Sequence, residues 1–362
     1  MAGNPFTPSF GSEPLVLAGR SRIIEDVLDG LDNRPGDPNR SSLFVGPRGS
    51  GKTVLLARIA NEAAQHGWVA ARVTAAPGMP DRLLEQIREA GAEYLPTPPR
   101  SRITGVTIQG SGVTREPVTP PSTWGKQLSD LVHELNDKSV GLLITVDEVS
   151  ATTPGMIELA TEFQQLVTDK HDVALLMAGL PGKVSRLLRD DFASFLRRAF
   201  LHRLDAVTIP EAELALRDTI VLSGRQIAPD ALALAAAATE GYPFLIQLIG
   251  YHLWRQSPGS HELNLTDAKQ AVELAQGDMD RMILDTTLQE LSPKDLLFLR
   301  AMARDDGESS MRDVATRMHA TPNLAGKYRT RLLEQGLIAE AGYGRVRFEL
   351  PWLRRYLLEH PA

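Results

Sequence analysis

Cysteine is absent from all 362 residues. That excludes a disulfide framework, a thiolate metal site and a cysteine nucleophile. Long apolar runs are missing too. No stretch approaches the roughly 20 consecutive apolar residues of a membrane-spanning helix, although 43 % of the chain is hydrophobic. The first residues, Met1 to Gly11, carry neither a basic start nor an apolar segment. A secretory signal is therefore not expected, and the cytoplasm is the expected compartment. Positive charge is in deficit, with 39 Lys and Arg against 45 Asp and Glu. A net charge of −6 argues against indiscriminate coating of DNA, while a local basic patch stays compatible with binding it.

What is present is the length for two or three domains and an ordinary globular composition. One stretch organises the rest. Leu43-Phe44-Val45 is a short apolar run that ends in Gly46-Pro47-Arg48-Gly49-Ser50-Gly51-Lys52-Thr53, after which Leu55, Ile59 and Ala63 mark one side of a helix. The spacing Gly46-x4-Gly51-Lys52-Thr53 fits the phosphate-cradling loop of P-loop NTPases. Glycines let backbone N–H groups curl round a phosphate without Cβ clashes, and the helix N-terminus that follows favours anions. Lys52 would supply positive charge to the β- and γ-phosphates, and Thr53 a hydroxyl to Mg²⁺.

A second run, Gly141 to Val146, is apolar almost throughout and stops at Asp147-Glu148. It reads as a central parallel strand buried on both faces. Ligands of such sheets lie beyond the carboxyl ends of the strands. Asp147 is therefore expected beside the phosphate loop as a partner of Mg²⁺, and Glu148 as the base for an attacking water. Further strands are expected near Gly67 to Thr74, Val173 to Leu180 and Leu201 to Thr208, alternating with helices that include 154–169. Together they predict an α/β fold, a three-layer core around a parallel sheet. Between Pro96 and Pro121 six prolines surround the alternating segment Ile103 to Ile108, which reads as an inserted hairpin.

From Pro210 the sequence turns helical, with segments 228–238, 242–254 and 266–284 making an all-α unit. Ser292-Pro293-Lys294-Asp295 then restarts a helix with cap, first-turn proline and acidic third position. Two more helices follow, 310–318 and 322–335, the second stopped by Gly336. A hairpin of Leu337 to Ala341 and Arg345 to Leu350 completes the order expected of a winged helix-turn-helix. Residues 291–362 hold 12 Lys and Arg against 9 Asp and Glu, net +3, so the other 290 residues carry −9. Leu324, Tyr328 and Leu332 are expected to face the core. That leaves Asn323, Lys327 and Thr330 on a face for a major groove, with Arg329 and Arg331 on the same helix and Arg345 and Arg347 on the wing. The expected domains are a flexible 1–14, a nucleotide-binding core at 15–209 with the 96–121 insertion, a helical lid at 210–288 and the winged helix at 289–362.

On these residues the chain, from about Leu15 to Leu358, resembles AAA+ ATPases of the origin-recognition-like and STAND-like branch. It is most similar to bacterial ATP-binding proteins that append a winged helix. The resemblance implies ATP and Mg²⁺ as ligands and ATP hydrolysis as the activity. It implies a Gly-Arg pair enclosing adenine, a place held here by Gly19-Arg20. It also implies an arginine finger directed at a neighbouring subunit, for which Arg198 is the candidate and Arg197 the reserve. Gly241-Tyr242-Pro243 matches the Gly-x-Pro of the STAND lid, which brings Pro243 to the nucleotide. One departure stands out: the strand ending Met177-Ala178-Gly179 lacks the usual polar sensor, so slow turnover is expected. The leading expectation is an ATP-dependent protein that works on duplex DNA, with self-association through the nucleotide site. The alternative is a signalling switch whose winged helix packs on the core and binds an unidentified protein partner. A small-molecule kinase fits less well, because the winged helix would be left without a purpose. No membrane partner is expected.

Overall fold

The computed structural model describes residues 3–9, 11–33, 35–96, 123–189 and 194–360. The hairpin expected at 103–108 lies outside them. The first part of the chain alternates helix and strand: α1 (Ser21–Asp32), β1 (Ser41–Val45), α2 (Lys52–Gln65), β2 (Val69–Thr74), α3 (Met79–Ala90), α4 (Trp124–Asn136), β3 (Leu142–Asp147), α5 (Met156–Thr168), β4 (Val173–Gly179), α6 (Pro181–Arg189) and β5 (Phe200–Arg203). The strands form one sheet in the order β2-β3-β4-β1-β5, with every neighbouring pair parallel. β4 is buried along its whole length, which is what a strand covered on both faces requires.

Alternation along β1 sorts the core. Leu43 and Val45 pack with Leu83, Leu128 and Leu159 of α3, α4 and α5, while Phe44 points the other way to Val27, Leu55 and Ile59 of α1 and α2. Each such side chain contributes about 1.5–3 kcal/mol when fully buried, and the sheet is thereby held between two helical layers. The last strand is shorter than expected. Leu204 N–H still donates to Val45 O at 2.7 Å, but the next carbonyl, that of Asp205, is taken by the Arg20 guanidinium at 2.7 Å, and the ladder ends.

The helical unit comprises α7 (Ile209–Leu222), β6 (Gln226–Ile227), α8 (Pro229–Ala238), α9 (Pro243–Arg255), β7 (Glu262–Leu263), α10 (Leu265–Met279) and α11 (Asp285–Gln289). The single helix expected over 266–284 is broken: a π-helical turn, Asp280–Leu284, separates α10 from α11. β6 and β7 pair in parallel, a contact too short to leave a periodic signal.

The C-terminal part runs α12 (Pro293–Ala303), β8 (Ser309–Ser310), α13 (Met311–Arg317), α14 (Pro322–Glu334), β9 (Ile338–Glu340), β10 (Arg345–Phe348) and α15 (Leu353–Glu359). Its sheet is antiparallel in the order β8-β10-β9. Ser292 and Asp295 close a reciprocal capping box at the start of α12. On α14 the buried positions are Ala325 and Leu332, with Tyr328 partly covered. Leu324, expected in the core, is 40 % exposed, because the true stripe lies one residue round the helix.

The composition of residues 1–14 suggests a loose start. Instead Phe6 is 2 % exposed and belongs to the same apolar cluster as α7 to α10. One buried aromatic ring outweighs the proline and glycine around it.

Candidate functional site

Because the strands are parallel, the ends of β1 and β3 open on the same edge of the sheet, although 94 residues separate Thr53 from Asp147. Residues 46–51 link β1 to α2, with Gly49 and Gly51 in the left-handed region at φ 75° and 86°. The ammonium of Lys52 donates to Gly46 O at 2.9 Å and to Pro47 O at 2.5 Å, folded back into its own loop. Burial lowers its pKa to about 8, against the opposing pull of Asp147 and Glu148. Thr53 Oγ1 donates to Asp147 Oδ2 at 2.5 Å, and the other carboxylate oxygen accepts from Glu148 N–H at 2.8 Å. Glu148 takes φ 55°, a conformation L residues adopt at a cost and which is concentrated at functional sites.

These groups face a cavity of about 430 Å³. Gly49, Gly51, Lys52, Thr53, Asp147 and Glu148 line one end. The rest is more apolar, with Val16, Leu17, Ala18, Pro243, Phe244 and Met282. Met282 is 46 % exposed because it looks into this space. Tyr242 crosses from the helical unit to the loop, where its hydroxyl donates to the carbonyl of Arg48, and its ring leaves no room for a side chain at Gly49. A half-buried cation, a hydroxyl–carboxylate pair and an apolar far end suit a molecule that is anionic at one end and flat and apolar at the other. Thr53 and Asp147 are hard oxygen donors of the kind Mg²⁺ takes together with phosphate oxygens and water. Among the described residues no group of three His, Asp or Glu could hold a metal unaided. The chemistry of the pair therefore fits a cation delivered with its anion.

The other expected residues lie in several places. Arg48 and Pro243 line the cavity. Gly46, Pro47 and Ser50 belong to the loop backbone behind it. Gly19 and Arg20 do not line it. Arg20 is 8 % exposed and its guanidinium donates to Asp205 O. Arg198 is exposed at the end of the turn Ser194–Arg198 and does not line the cavity, while Arg197 is tied down through Nε to Leu188 O at 2.8 Å.

The seven residues expected at DNA divide, and Thr330 is exposed on α14 with its hydroxyl donating to Gly326 O at 3.1 Å. Asn323 and Lys327 are exposed on α14, and Arg345 and Arg347 on β10, where they pair with Glu308 at 3.4 Å and Glu349 at 4.0 Å. Arg329 and Arg331 are engaged within the fold. Arg329 binds Glu340 at 2.6 Å, and Arg331 binds Asp295, a carboxylate that is only 1 % exposed, at 2.6 Å.

Several residues at the cavity carry no motif: Lys183 on α6, residues 7–9, 11–12, 14 and 16–18, and Met282, Ile283, Thr286 and Thr287 beside the π turn. Lys183 follows β4 by four positions, a signal too common to single it out. The others approach only through tertiary packing.

Comparison with known proteins agrees with this geometry. Residues 36–188 match the model described as an AAA domain. The fold is that of a P-loop NTPase. The AAA domain takes in β1 to α6, and with them the loop, Asp147 and Glu148. Residues 281–357 match a domain of unknown function, DUF8462. No curated protein matches the sequence. Among solved structures, a Walker-type ATPase of Pyrococcus abyssi superposes with TM-score 0.68 at 15 % identity, covering 94 % of this chain and 96 % of that one. The ORC2 protein of Aeropyrum pernix, in its ADP form, gives 0.52 at 17 % identity with 97 % and 95 % covered. Cdc6p of Pyrobaculum aerophilum gives 0.50 at 16 % identity with 97 % and 96 % covered. At these identities the likeness is one of fold. It extends past the AAA domain, since nearly the whole chain is covered each time. Among the described residues no helix is long and apolar enough to cross a membrane.

Proposed function

We propose that the chain binds ATP at the loop 46–53, hydrolyses it slowly, and uses nucleotide state to place a C-terminal winged helix on duplex DNA. The observation that carries the nucleotide half is the meeting of Thr53 and Asp147 beside the half-buried Lys52. In this reading Lys52 and the backbone N–H groups of Gly46 to Thr53 hold the phosphates, Thr53 and Asp147 hold Mg²⁺, and Val16 to Ala18 with Pro243 cover the adenine. The metal ion, when bound, neutralises charge between the β- and γ-phosphates. Glu148 orients and deprotonates the attacking water, and Arg198 serves a neighbouring copy. The ADP form of the Aeropyrum pernix ORC2 protein supports an adenine nucleotide. β4 ends in Met177-Ala178-Gly179, with no polar side chain aimed at the γ-phosphate, which supports slow turnover.

The order of α12 to α14 and of β8, β10 and β9 supports a winged helix at 289–362. Its exposed Asn323, Lys327, Arg345 and Arg347 are the DNA face; Arg329 and Arg331 contribute by holding that face rigid. At low salt and with ATP, duplex DNA is expected to shift in mobility. Log K should fall against log[salt] with a slope near −3, at about −0.9 for each phosphate neutralised by Lys327, Arg345 and Arg347. Lys327→Ala should flatten that slope by about one unit. Unchanged mobility in both ATP and ADP would overturn the DNA assignment.

One contact favours a second reading. Glu334 at the end of α14 sits on Gly182, where no side chain would fit, and pairs with Arg186 at 2.8 Å. A Cβ placed on Gly336 would lie only 3.7 Å from Pro47 Cα of the phosphate loop. The C-terminal unit thus touches the nucleotide core directly. In this alternative it is a switch whose winged helix is released toward a protein partner.

A further inference from the structure

We propose that Phe6 is a positioning residue that fixes residues 7–9 and 11–18 as a strap across the nucleotide cavity, and that this strap sets how fast nucleotide leaves. The inference rests on the cavity being a nucleotide site. It assigns work to a segment whose sequence carries no motif.

The strap is held at its two ends by different parts of the molecule. At the helical unit, the Phe6 ring is buried against α9 at Gly250, a position where a Cβ would collide with the ring. Asn4 Nδ2 donates to Tyr251 O at 2.9 Å, and Asn4 Oδ1 accepts from Phe6 N–H at 3.0 Å. Thr7 N–H donates to Gln247 Oε1 at 3.1 Å. All three anchors belong to α9, the helix whose first residues, Pro243 and Phe244, also line the cavity. At the AAA domain, the Glu13 carboxylate accepts from Arg58 Nη1 at 2.7 Å and from Asn61 Nδ2 at 3.2 Å. Both donors lie on α2, the helix that opens with Lys52 and Thr53.

Between these anchors Pro8, Ser9, Gly11 and Ser12 form part of the cavity wall, as do Thr7 and Pro14 at its two ends. The other walls are the phosphate loop, the strand ends and helices, each continuous with the sheet or with packed helices. The strap has no regular secondary structure, so its position depends on the anchors. A nucleotide seated here has one wall that can move without breaking a sheet or a helix, and Phe6 is what keeps it shut.

Release of a fluorescent ADP from the full chain, followed by stopped flow with excess unlabelled ADP, tests this. Phe6→Ala should release roughly ten times faster than wild type, and Glu13→Ala roughly threefold faster. Phe6→Leu, which refills the site on α9, should stay near the wild-type rate. Glu13 is a surface anchor, so its alanine variant should keep the nucleotide-free melting temperature of wild type. Faster release from it then reports the strap and not a loosened fold. If Phe6→Ala does not fold, Glu13→Ala and Phe6→Leu still decide the question. Wild-type release rates in both alanine variants would overturn the proposal. So would a Glu13→Ala protein that releases normally beside a Phe6→Ala protein that has lost stability and retention together, since Phe6 would then be only a core residue. Failure of the wild type to bind labelled ADP at all would instead refute the nucleotide assignment, and it would show before any variant is compared.

Discussion

A Lys52→Ala protein is expected to bind ATP and ADP about 100-fold more weakly than wild type, a loss of ~2.8 kcal/mol at the upper end for hydrogen bonds to charged groups. The expectation follows from burial. Lys52 is folded over Gly46 O and Pro47 O, partly withdrawn from water, and the carboxylates that act on its charge are Asp147 and Glu148 at the cavity. A phosphate arriving there meets a cation already partly desolvated, which strengthens the attraction relative to a surface lysine. The same burial predicts a pH dependence. With its pKa lowered to about 8, Lys52 is charged below that pH and neutral above it. Nucleotide affinity should therefore be level up to about pH 8 and fall by up to about tenfold per unit beyond it. Lys52→Met should abolish that slope. The sign for folding is the reverse. Between about 8 and the ordinary lysine value of 10.5 the unfolded chain keeps a proton that the folded one has lost, so the nucleotide-free protein gains stability as pH rises through that window. Titration of labelled nucleotide between pH 6.5 and 9.5 measures the effect. An alanine variant with wild-type affinity would remove the phosphate site from this loop.

Glu148→Gln is expected to reduce ATP turnover about 100-fold or more while leaving nucleotide affinity within about twofold, since general-base catalysis contributes in that range. Two features set Glu148 apart from an acidic residue on an exposed loop. Its backbone is held at φ 55° by the hydrogen bond from its N–H to Asp147, and its side chain lines the same cavity as Lys52 and Thr53. Glutamine keeps the volume and the hydrogen-bonding edge but cannot take a proton. The variant should therefore load ATP and fail to release phosphate. A phosphate-release assay run beside an affinity titration separates the two. Wild-type turnover by Glu148→Gln would show that the base lies elsewhere at the cavity.

Much of the site was legible because its chemistry is local. The glycine spacing at 46–51 answers to backbone angles within a few residues, and Gly49 and Gly51 do take the left-handed region. The run before Asp147 had to be apolar because both faces of β3 are covered. Ser292 and Asp295 announced their helix through a four-residue reciprocity. The readings that drifted depended on contacts from afar. The helix expected to continue to residue 284 changes to a π-helical turn at Asp280, whose carboxylate holds Arg355 of α15 at 2.6 Å. Arg329 and Arg331 look like free positive charge on α14, but partners 11 and 36 residues away already engage them. Leu324 misled because a spacing of four does not distinguish one helical stripe from the stripe beside it.

The sequence by itself determined the class of fold, the phosphate loop and the two carboxylates beyond β3, because each is a short-range demand of backbone geometry or strand burial on particular residues. The sequence also placed Asp147 beside that loop; only the tertiary structure decided that Thr53 donates to it directly, that Phe6 anchors the chain's start on α9, and that the end of α14 rests on α6. Those contacts join residues from 94 to more than 240 positions apart. Packing free energy selects them among many alternatives, and no local pattern records the choice.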